Sequence, residues 1–425
     1  MLPDKSIRRP YMLGVLNGAL FNFGAVFIDP NTVLALFIAT TTGSDAFVGL
    51  FAAIAAIGRV VPQVISASKA VGSPSKIRFY HLSFAVRGPA LILMVGVVVL
   101  ANGSGFTVAS LVVLAYALYA FGQGFATVPF MDIISNIMRP SMRSSFFAWR
   151  NFLGLGVAIL SGYIVKVVLG SQERFPFPDN FILLFSLGAA FSIGAMFTFS
   201  IVREPIIKQE RPAATVRETI SMARGILARD TIYRRYIAVR CLICLVSISA
   251  PFYILHATGS LGLDLGTAGL LIIVMKLGGV STYLFWGRAG DAKGTRIVLF
   301  TATVLLVMVP LSALLSGFWA PLPAAITTFA LMGLANAGIH IGVTNYILDH
   351  SEPQDRPVYV ALTMVIVGVV STVPILGGVL AEAFGYSVLF AISLSIALVG
   401  VVLASMLPEP RHLAEKRFRS MVRLA

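Results

Sequence analysis

The chain has 425 residues, of which 57% are hydrophobic and 12% are charged, and its formal net charge is +14. A soluble domain has about 25% charged residues and could not bury this much apolar surface, so the composition excludes an ordinary water-soluble protein. Because a helical span needs about 20 apolar residues, the length accommodates about twelve spans of a polytopic membrane protein.

Twelve apolar runs follow one another along the chain, six in each half. Span 1 continues well past a signal-peptide core, so we interpret it as an uncleaved membrane span. The predicted spans are Tyr11 to Ala39, Ala46 to Ser66, Phe79 to Leu100, Phe106 to Ile134, Phe146 to Leu169, Phe181 to Val202, Tyr236 to His256, Ala268 to Trp286, Ile297 to Phe318, Pro321 to Leu348, Val358 to Phe384 and Val388 to Leu407.

Basic residues lie mainly on one side of these spans. Of the 32 Lys and Arg, 25 lie in the termini and the even-numbered loops, and only Arg174 lies in a loop on the other side. The positive-inside rule therefore predicts a protein of the cell membrane with both termini on the cytoplasmic side. This distribution explains the net charge without nucleic-acid binding.

One long polar stretch, residues 203–235, separates the halves. Its Thr215–Glu218 capping box and the apolar spacing that follows predict a short amphipathic helix on the cytoplasmic surface. The predicted domains are therefore a six-helix bundle over 1–202, this linker, a second six-helix bundle over 236–407 and a basic tail over 408–425.

The two halves resemble each other at a constant offset of 213. This offset superposes Pro140 on Pro353, Arg143 on Arg356, Ala148 on Ala361, Gln123 on Asn336 and Asp132 on Asn345. A match without gaps indicates duplication, and parallel repeats of this kind are one design of secondary transporters, with the binding site near the midplane.

Residues 287–296, GRAGDAKGTR, follow span 8. They resemble the G-x-x-x-D-x-x-G-x-R/K loop signature of the major facilitator superfamily. The resemblance implies an all-α fold of twelve transmembrane helices in two pseudo-symmetric bundles, and a monomer that transports a small solute by alternating access. It assigns a gating role to Gly287, Asp291, Gly294 and Arg296.

The first-half copy of this loop differs, because Val71 stands in place of the acid, although Lys76 still matches Arg296. The resemblance also implies that Asp132, at the end of span 4, pairs with the basic residues of this loop, with a substrate role as the alternative, and we assign Arg143 to the same gating region. Span 5 also lacks the Gly-Pro and paired glycines of the family's antiporter signature, which weakens the case for proton-driven drug export.

Asp29 lies inside span 1 and is followed by Pro30, which disturbs a helix. Charges in hydrocarbon are costly and are functional hypotheses by default. A carboxyl group there could bind and release a proton, so Asp29 is the first proton-coupling candidate. The alternatives are a fixed ion pair or a water-exposed acid at the outer mouth.

The remaining deep charges are basic. Arg59, Arg87 and Lys276 make the predicted interior cationic on balance, which favours an anionic substrate. We assign Arg59 and Lys276, with Gln123 and Asn336, to substrate binding, although internal pairing or snorkelling is an equal alternative for the two charges. For Arg87 internal pairing or snorkelling is the favoured interpretation, because span 3 is peripheral in the family.

His340 could join a proton relay near Asn336, since histidine titrates near neutral pH, or could be a packing histidine. Arg150, Arg240 and Lys166 lie close enough to span ends for snorkelling. Gln123 could equally serve ordinary interhelical hydrogen bonding.

No signature of an enzyme, a nucleotide-binding loop, a metal site or a cofactor is found in the sequence. The sequence therefore favours a proton-coupled secondary transporter of a small, anionic solute. Two alternatives stay open: a proton-driven exporter of amphipathic or cationic compounds, and a non-transporting sensor or assembly factor with the same fold.

Overall fold

A computed structural model describes residues 5–70, 73, 75–101, 105–138, 140–205, 225–352 and 355–410. The predicted amphipathic helix of the linker, the Val71 position of the degraded loop and most of the basic tail lie outside these residues. The helices are α1 (Lys5–Phe27), α2 (Val33–Thr42), α3 (Asp45–Ala70), α4 (Ile77–Leu100), α5 (Phe106–Ile137), α6 (Pro140–Gly170), α7 (Asp179–Ser200), α8 (Thr231–Val246), α9 (Phe252–Leu255), α10 (Thr267–Lys293), α11 (Thr295–Leu314), α12 (Pro321–His350), α13 (Arg356–Val370) and α14 (Pro374–Ser405).

Within the described residues, eleven helical stretches are long and apolar enough to cross a membrane. The last, Val358–Ser405, has 48 residues, about twice what one span needs. It is interrupted at Gly385, whose φ of 80° and ψ of 168° are not helical. It therefore holds the predicted spans 11 and 12, and the twelve-helix fold class is confirmed.

Predicted span 1 is not one continuous helix. It consists of α1 and the short apolar helix α2, with a break between Phe27 and Val33. Pro30 lies in this break and cannot donate a backbone hydrogen bond, which is the reason expected from the sequence.

By their contacts the helices form two compact units. The first comprises Met1–Ala213 and Ile254–Ile273, and the second comprises Ala214–Tyr253 and Val274–Ala425.

In the first unit, α1 packs against α6 and α7, and α5 packs against α3 and α4. Small residues permit these close approaches: a Cβ on Gly24 would lie 3.0 Å from the carbonyl oxygen of Gly188, and one on Gly124 would collide with the backbone of Arg59. Close helix contact through small residues is a general feature of membrane bundles.

In the second unit, α11 packs against α12 and α14, and α8 packs against α13 and α14. Hydrogen bonds join these helices where the bilayer offers no partner. The hydroxyl of Tyr236 donates to the carbonyl of Val343 at 2.8 Å, and the hydroxyl of Ser393 donates to the carbonyl of Val246 at 3.1 Å.

Helix α8 begins at Thr231, five residues before the predicted span 7. Asp230 precedes it, and its side chain accepts a hydrogen bond from the backbone N–H of Tyr233. This N-cap satisfies one of the free donors at the helix start. The apolar run therefore underestimates the length of the helix at its N-terminal end, because the cap and the first turn are polar.

Candidate functional site

An open cavity of about 240 Å³ lies within the first unit. Five helices contribute to its lining, which combines two arginines, three aromatic rings and two amides. The lining residues are Asn17 and Phe21 from α1, Tyr80 and Arg87 from α4, Gln123, Ala126, Thr127, Phe130 and Met131 from α5, Arg150 from α6 and Met196 from α7.

Arg87 is buried, with 4% of its surface exposed. Gly122 on α5 makes room for it, because a Cβ there would lie 2.5 Å from the Arg87 Cγ. The Nη2 atom donates a long hydrogen bond of 3.5 Å to the hydroxyl of Tyr119, and the guanidinium carbon lies 5.1 Å from the Tyr119 ring centroid. Its Nε atom has no hydrogen-bond partner in the described part of the chain.

Arg150 is half-buried and lies against α1. Its side chain passes over Gly18, where a Cβ would collide with it, and its Nη2 donates to the Oδ1 of Asn17 at 3.1 Å. The guanidinium carbon lies 5.0 Å from the ring centroid of Phe130. The expectation that Arg150 snorkels to the membrane surface is therefore wrong. Gly18 has no side chain and leaves room for the Arg150 side chain inside the unit, and the Asn17 amide binds its guanidinium there.

Neither arginine is paired with a carboxylate among the described residues, and the cavity lining contains no Asp or Glu. Both Nε atoms are buried without a hydrogen-bond partner there. Guanidinium groups stay protonated in proteins, so the cavity carries two positive charges. Aromatic faces offset part of the desolvation cost through cation–π contacts. Two positive charges without a carboxylate partner make this cavity suited to a small anion.

Of the predicted substrate-binding residues in the first unit, Gln123 lines this cavity and Arg59 is not among its lining residues. Arg59 is exposed on α3, and its Nε donates to the carbonyl of Ala55 on the same helix at 3.2 Å.

Asp29 lies in the break between α1 and α2 and is partly buried. Its Oδ1 accepts hydrogen bonds from the backbone N–H of Asn31 at 2.9 Å and from the hydroxyl of Thr32 at 3.2 Å. The carboxylate thus turns the chain from one helix to the next, a local arrangement typical of Asp followed by a turn. None of the described residues forms a salt bridge with it.

The other predicted residues lie in the second unit. Lys276 is half-buried on α10, whereas Asn336 and His340 are exposed on α12, one helical turn apart on the same face. The structure thus brings Asn336 and His340 together. Their roles in binding and proton coupling stay predictions.

The gating loop has a defined geometry. Gly294 has a φ of 90° and precedes α11, and Glu409 accepts hydrogen bonds from the backbone N–H groups of Thr295 at 3.3 Å and Arg296 at 2.9 Å. A carboxylate at a helix N-terminus is favourable because the free donors and the helix dipole are there. Gly287 and Asp291 lie on the last two turns of α10.

The first unit contains the same capping arrangement despite its degraded loop. Glu204 accepts from the backbone N–H groups of Lys76 at 2.7 Å and Ile77 at 2.8 Å, at the start of α4. Asp132 lies within electrostatic range of Lys76 and Glu204, and Arg143 donates to the carbonyl of Ser135 at 2.7 Å.

Sequence reasoning assigned Arg87 and Arg150 to structural roles, although a signal for Arg87 was present. Tyr80, Ser83 and Arg87 have the i, i+3, i+7 spacing of one helix face, and all three are buried. That periodicity indicates that Arg87 points into the bundle with Tyr80. For Arg150 the sequence contains no comparable signal, because its inward direction depends on Gly18 of another helix.

Comparison with known proteins agrees with this architecture. Residues 235–422 match the family model described as Major Facilitator Superfamily. No curated protein sequence matches the chain.

Several solved structures have the same fold. The D-xylose-proton symporter is 13% identical with a TM-score of 0.72, over 96% of this chain and 99% of that one. The nucleoside transporter NupG is 12% identical with a TM-score of 0.69, over 95% and 99%. A bacterial homologue of the iron transporter ferroportin in an inward-facing state is 13% identical with a TM-score of 0.66, over 94% and 98%.

The family model in the second half and the fold over nearly the whole chain agree with the loop signature and the repeat. The chain is a multi-pass membrane protein whose second half matches the Major Facilitator Superfamily model and whose fold is that of the solved transporters.

Proposed function

We propose that this chain is a secondary transporter of a small organic anion, and that the cavity around Arg87 and Arg150 binds the anionic group. One observation carries the proposal: two guanidinium groups line one cavity, and neither has a carboxylate partner among the described residues. Burying an uncompensated charge is costly, and a bound anion would offset that cost.

The cavity also bears on the size and character of the anion. A volume of about 240 Å³ suits a molecule of a few carbon atoms with its anionic group. Phe21, Tyr80 and Phe130 provide apolar and aromatic surface beside the charges, and Gln123 and Asn17 provide amides for a hydroxyl or a second oxygen. These features favour a small carboxylic acid with a hydrocarbon part over an inorganic anion.

Proton coupling is the second part of the proposal, with Asp29 as the proton carrier. Its carboxylate accepts hydrogen bonds from Asn31 and Thr32 at the break between α1 and α2. Protonation would weaken both acceptor interactions and change the helix break, which is a direct way for a proton to act on the bundle. We further propose the cell membrane, with both termini cytoplasmic, from the distribution of basic residues.

Uptake into proteoliposomes tests this function. Labelled organic acids of increasing length are offered with and without an imposed pH gradient. We expect uptake of at least one small anion, accelerated by an inward proton gradient. If no anion in a broad panel is transported and amphipathic cations are, the exporter alternative replaces this proposal. If neither class is transported, the non-transporting alternative is favoured.

A further inference from the structure

A second cavity lies in the second unit, between the start of α8 and the last turns of α14. It has a volume of about 450 Å³ and is open to the surface. It is lined by Thr231, Arg234, Arg235, Ala238, Leu403 and Met406. We call it the α8–α14 groove. By the distribution of basic residues this end of the helices is cytoplasmic.

The polar wall of the groove is formed by Arg234 and Arg235. Both are exposed, because the neighbouring Tyr233 and Tyr236 occupy the buried face of α8. Neither arginine side chain makes a hydrogen bond or an ion pair with another described residue.

The nearest acid does not neutralise this wall. The carboxylate of Asp230 is engaged by His350 at 2.7 Å, by the hydroxyl of Tyr359 at 2.8 Å and by the N–H of Tyr233 at 2.8 Å. The Asp230 carboxylate is therefore engaged elsewhere, and the two guanidinium groups that line the groove have no carboxylate partner among the described residues.

The opposite wall is apolar and continues down α14. Met406 is 57% exposed, and Val402 and Val399, one and two turns along the same helix, are 53% and 51% exposed. On a membrane-spanning helix such side chains face lipid acyl chains. The groove thus has positive charge at the helix end and an apolar strip directly below it.

A neighbouring cavity on the other side of α14 provides a contrast. It is similar in size, about 430 Å³, and also contains basic residues, Lys293 and Arg296. There, however, Glu409 supplies a carboxylate and the Nη2 of Arg296 donates to the carbonyl of Ser405 at 2.8 Å. The basic groups of that cavity therefore have an acidic residue and a backbone carbonyl of the protein beside them. Those of the α8–α14 groove have no such partner among the described residues.

We infer that the α8–α14 groove binds an anionic phospholipid, with Arg234 and Arg235 on the phosphate and an acyl chain along Leu403 and Met406. Arginine binds phosphate through paired hydrogen bonds, and basic pockets between membrane helices at the cytoplasmic side suit anionic headgroups. The ligand is a lipid rather than a free phosphate because the charged and apolar walls lie at adjacent depths of one groove.

Native mass spectrometry of the full-length protein tests this inference. The protein in neutral detergent is titrated with phosphatidylglycerol or phosphatidylcholine. The variant is Arg234→Gln with Arg235→Gln. The matched control is Arg8→Gln with Arg9→Gln, an adjacent exposed pair on α1 that loses the same charge and is not among the residues lining the groove.

We expect the wild type to prefer phosphatidylglycerol, the groove variant to lose at least about tenfold in affinity for it, and the α1 control to keep it. Met406→Ser should lower the affinity for phosphatidylglycerol and should not raise the affinity for phosphatidylcholine. An equal loss of phosphatidylglycerol affinity in the groove variant and the α1 control would overturn the inference, since bulk charge would then explain binding. The inference would also be overturned if the wild type bound both lipids equally well, or if glycerol phosphate competed fully with phosphatidylglycerol. Because both arginines are exposed, unchanged unfolding temperatures without lipid should accompany these results.

Discussion

Asn17 holds Arg150 through its side-chain oxygen, which accepts a hydrogen bond from the Arg150 Nη2 at 3.1 Å. The amide nitrogen of Asn17 donates to the carbonyl of Ala195 at 2.6 Å, which fixes the orientation of the side chain. An aspartate at this position would pair with the guanidinium. The neutral amide orients Arg150 without cancelling its charge, and this leaves the charge available to an anion.

Replacing Asn17 by Asp should therefore lower anion affinity. The new carboxylate competes with the substrate for Arg150, and hydrogen bonds between charged groups contribute about 1.5–3 kcal/mol, so we expect a loss of about tenfold or more. Asn17→Ala removes both hydrogen bonds of the Asn17 side chain, to Arg150 and to Ala195, without adding a charge. Anion titrations should show a clearly larger loss for Asn17→Asp than for Asn17→Ala. Equal losses would indicate that only the position of Arg150 matters.

Asp29→Asn should separate transport from proton coupling. The amide preserves an oxygen acceptor for Asn31 and Thr32 but cannot carry a proton between the two sides. We expect anion binding within about threefold of wild type and loss of stimulation by a pH gradient in proteoliposomes. Full stimulation in this variant would exclude Asp29 as the carrier, and His340→Gln would then be the next variant to measure.

The hydrogen bonds of the Asp230 carboxylate with His350, Tyr359 and the Tyr233 N–H should make the stability of the second unit depend on pH. Although partial burial opposes ionisation, hydrogen bonds from His350, the Tyr233 N–H and Tyr359 hold the pKa of Asp230 well below its usual range. A lowered pKa in the folded state stabilises the fold fully above the unfolded value of about 3.9. This contribution is lost as the pH falls through the folded pKa.

Asp230→Asn isolates this charge, because Asn is also a good N-cap. We expect a lower unfolding temperature in detergent, corresponding to about 1.5–3 kcal/mol for hydrogen bonds to a charged group. The difference from wild type should shrink as the pH falls below about 4, where the carboxylate becomes protonated in the unfolded state and then in the folded state. A difference that persists or grows below about pH 4 would contradict the assignment.

Gly294 should tolerate substitution less well than other glycines. Its φ of 90° is unfavourable for residues with a Cβ, by roughly 1–2 kcal/mol, and a Cβ there would also collide with the Glu409 carboxylate. Gly105→Ala tests the backbone effect alone, since its φ is 94° and no described residue lies within 4 Å of the added Cβ, and Gly287→Ala has neither problem among the described residues. The unfolding temperature should fall most for Gly294→Ala, less for Gly105→Ala and little for Gly287→Ala. The same fall at Gly105 and Gly294 would exclude a role for the Glu409 contact.

Much of the fold could be predicted, because apolar length and repetition are properties of a sequence. The offset of 213 that superposes Arg143 on Arg356 has a structural counterpart: Arg143 donates to the carbonyl of Ser135 and Arg356 to that of Leu348, eight residues earlier in each case. Pro30 likewise predicted the disturbance of span 1. The start of α8 could not be read from apolarity, since it depends on the cap by Asp230.

The candidate site was harder to predict, because the depth of a charge in a span does not determine its direction. Arg59 and Arg87 have similar depth, yet Arg59 is exposed and bonds its own helix, whereas Arg87 points toward Tyr119. Gly18 and Gly122, which make room for the two arginines, lie on other helices. Such pairings between distant segments require the structure.

The most direct test of the account is anion binding by purified arginine variants. Arg87→Gln and Arg150→Gln each remove a charge from the cavity, and Arg59→Gln and Arg174→Gln remove equal charges elsewhere. The transported anion, or the strongest stabiliser from an organic-acid panel, is titrated by calorimetry after each variant is shown to unfold cooperatively. We predict at least about tenfold weaker binding for Arg87→Gln and Arg150→Gln, and near wild-type binding for Arg59→Gln and Arg174→Gln. Unchanged affinity in both cavity variants, with a loss in Arg59→Gln, would contradict the account.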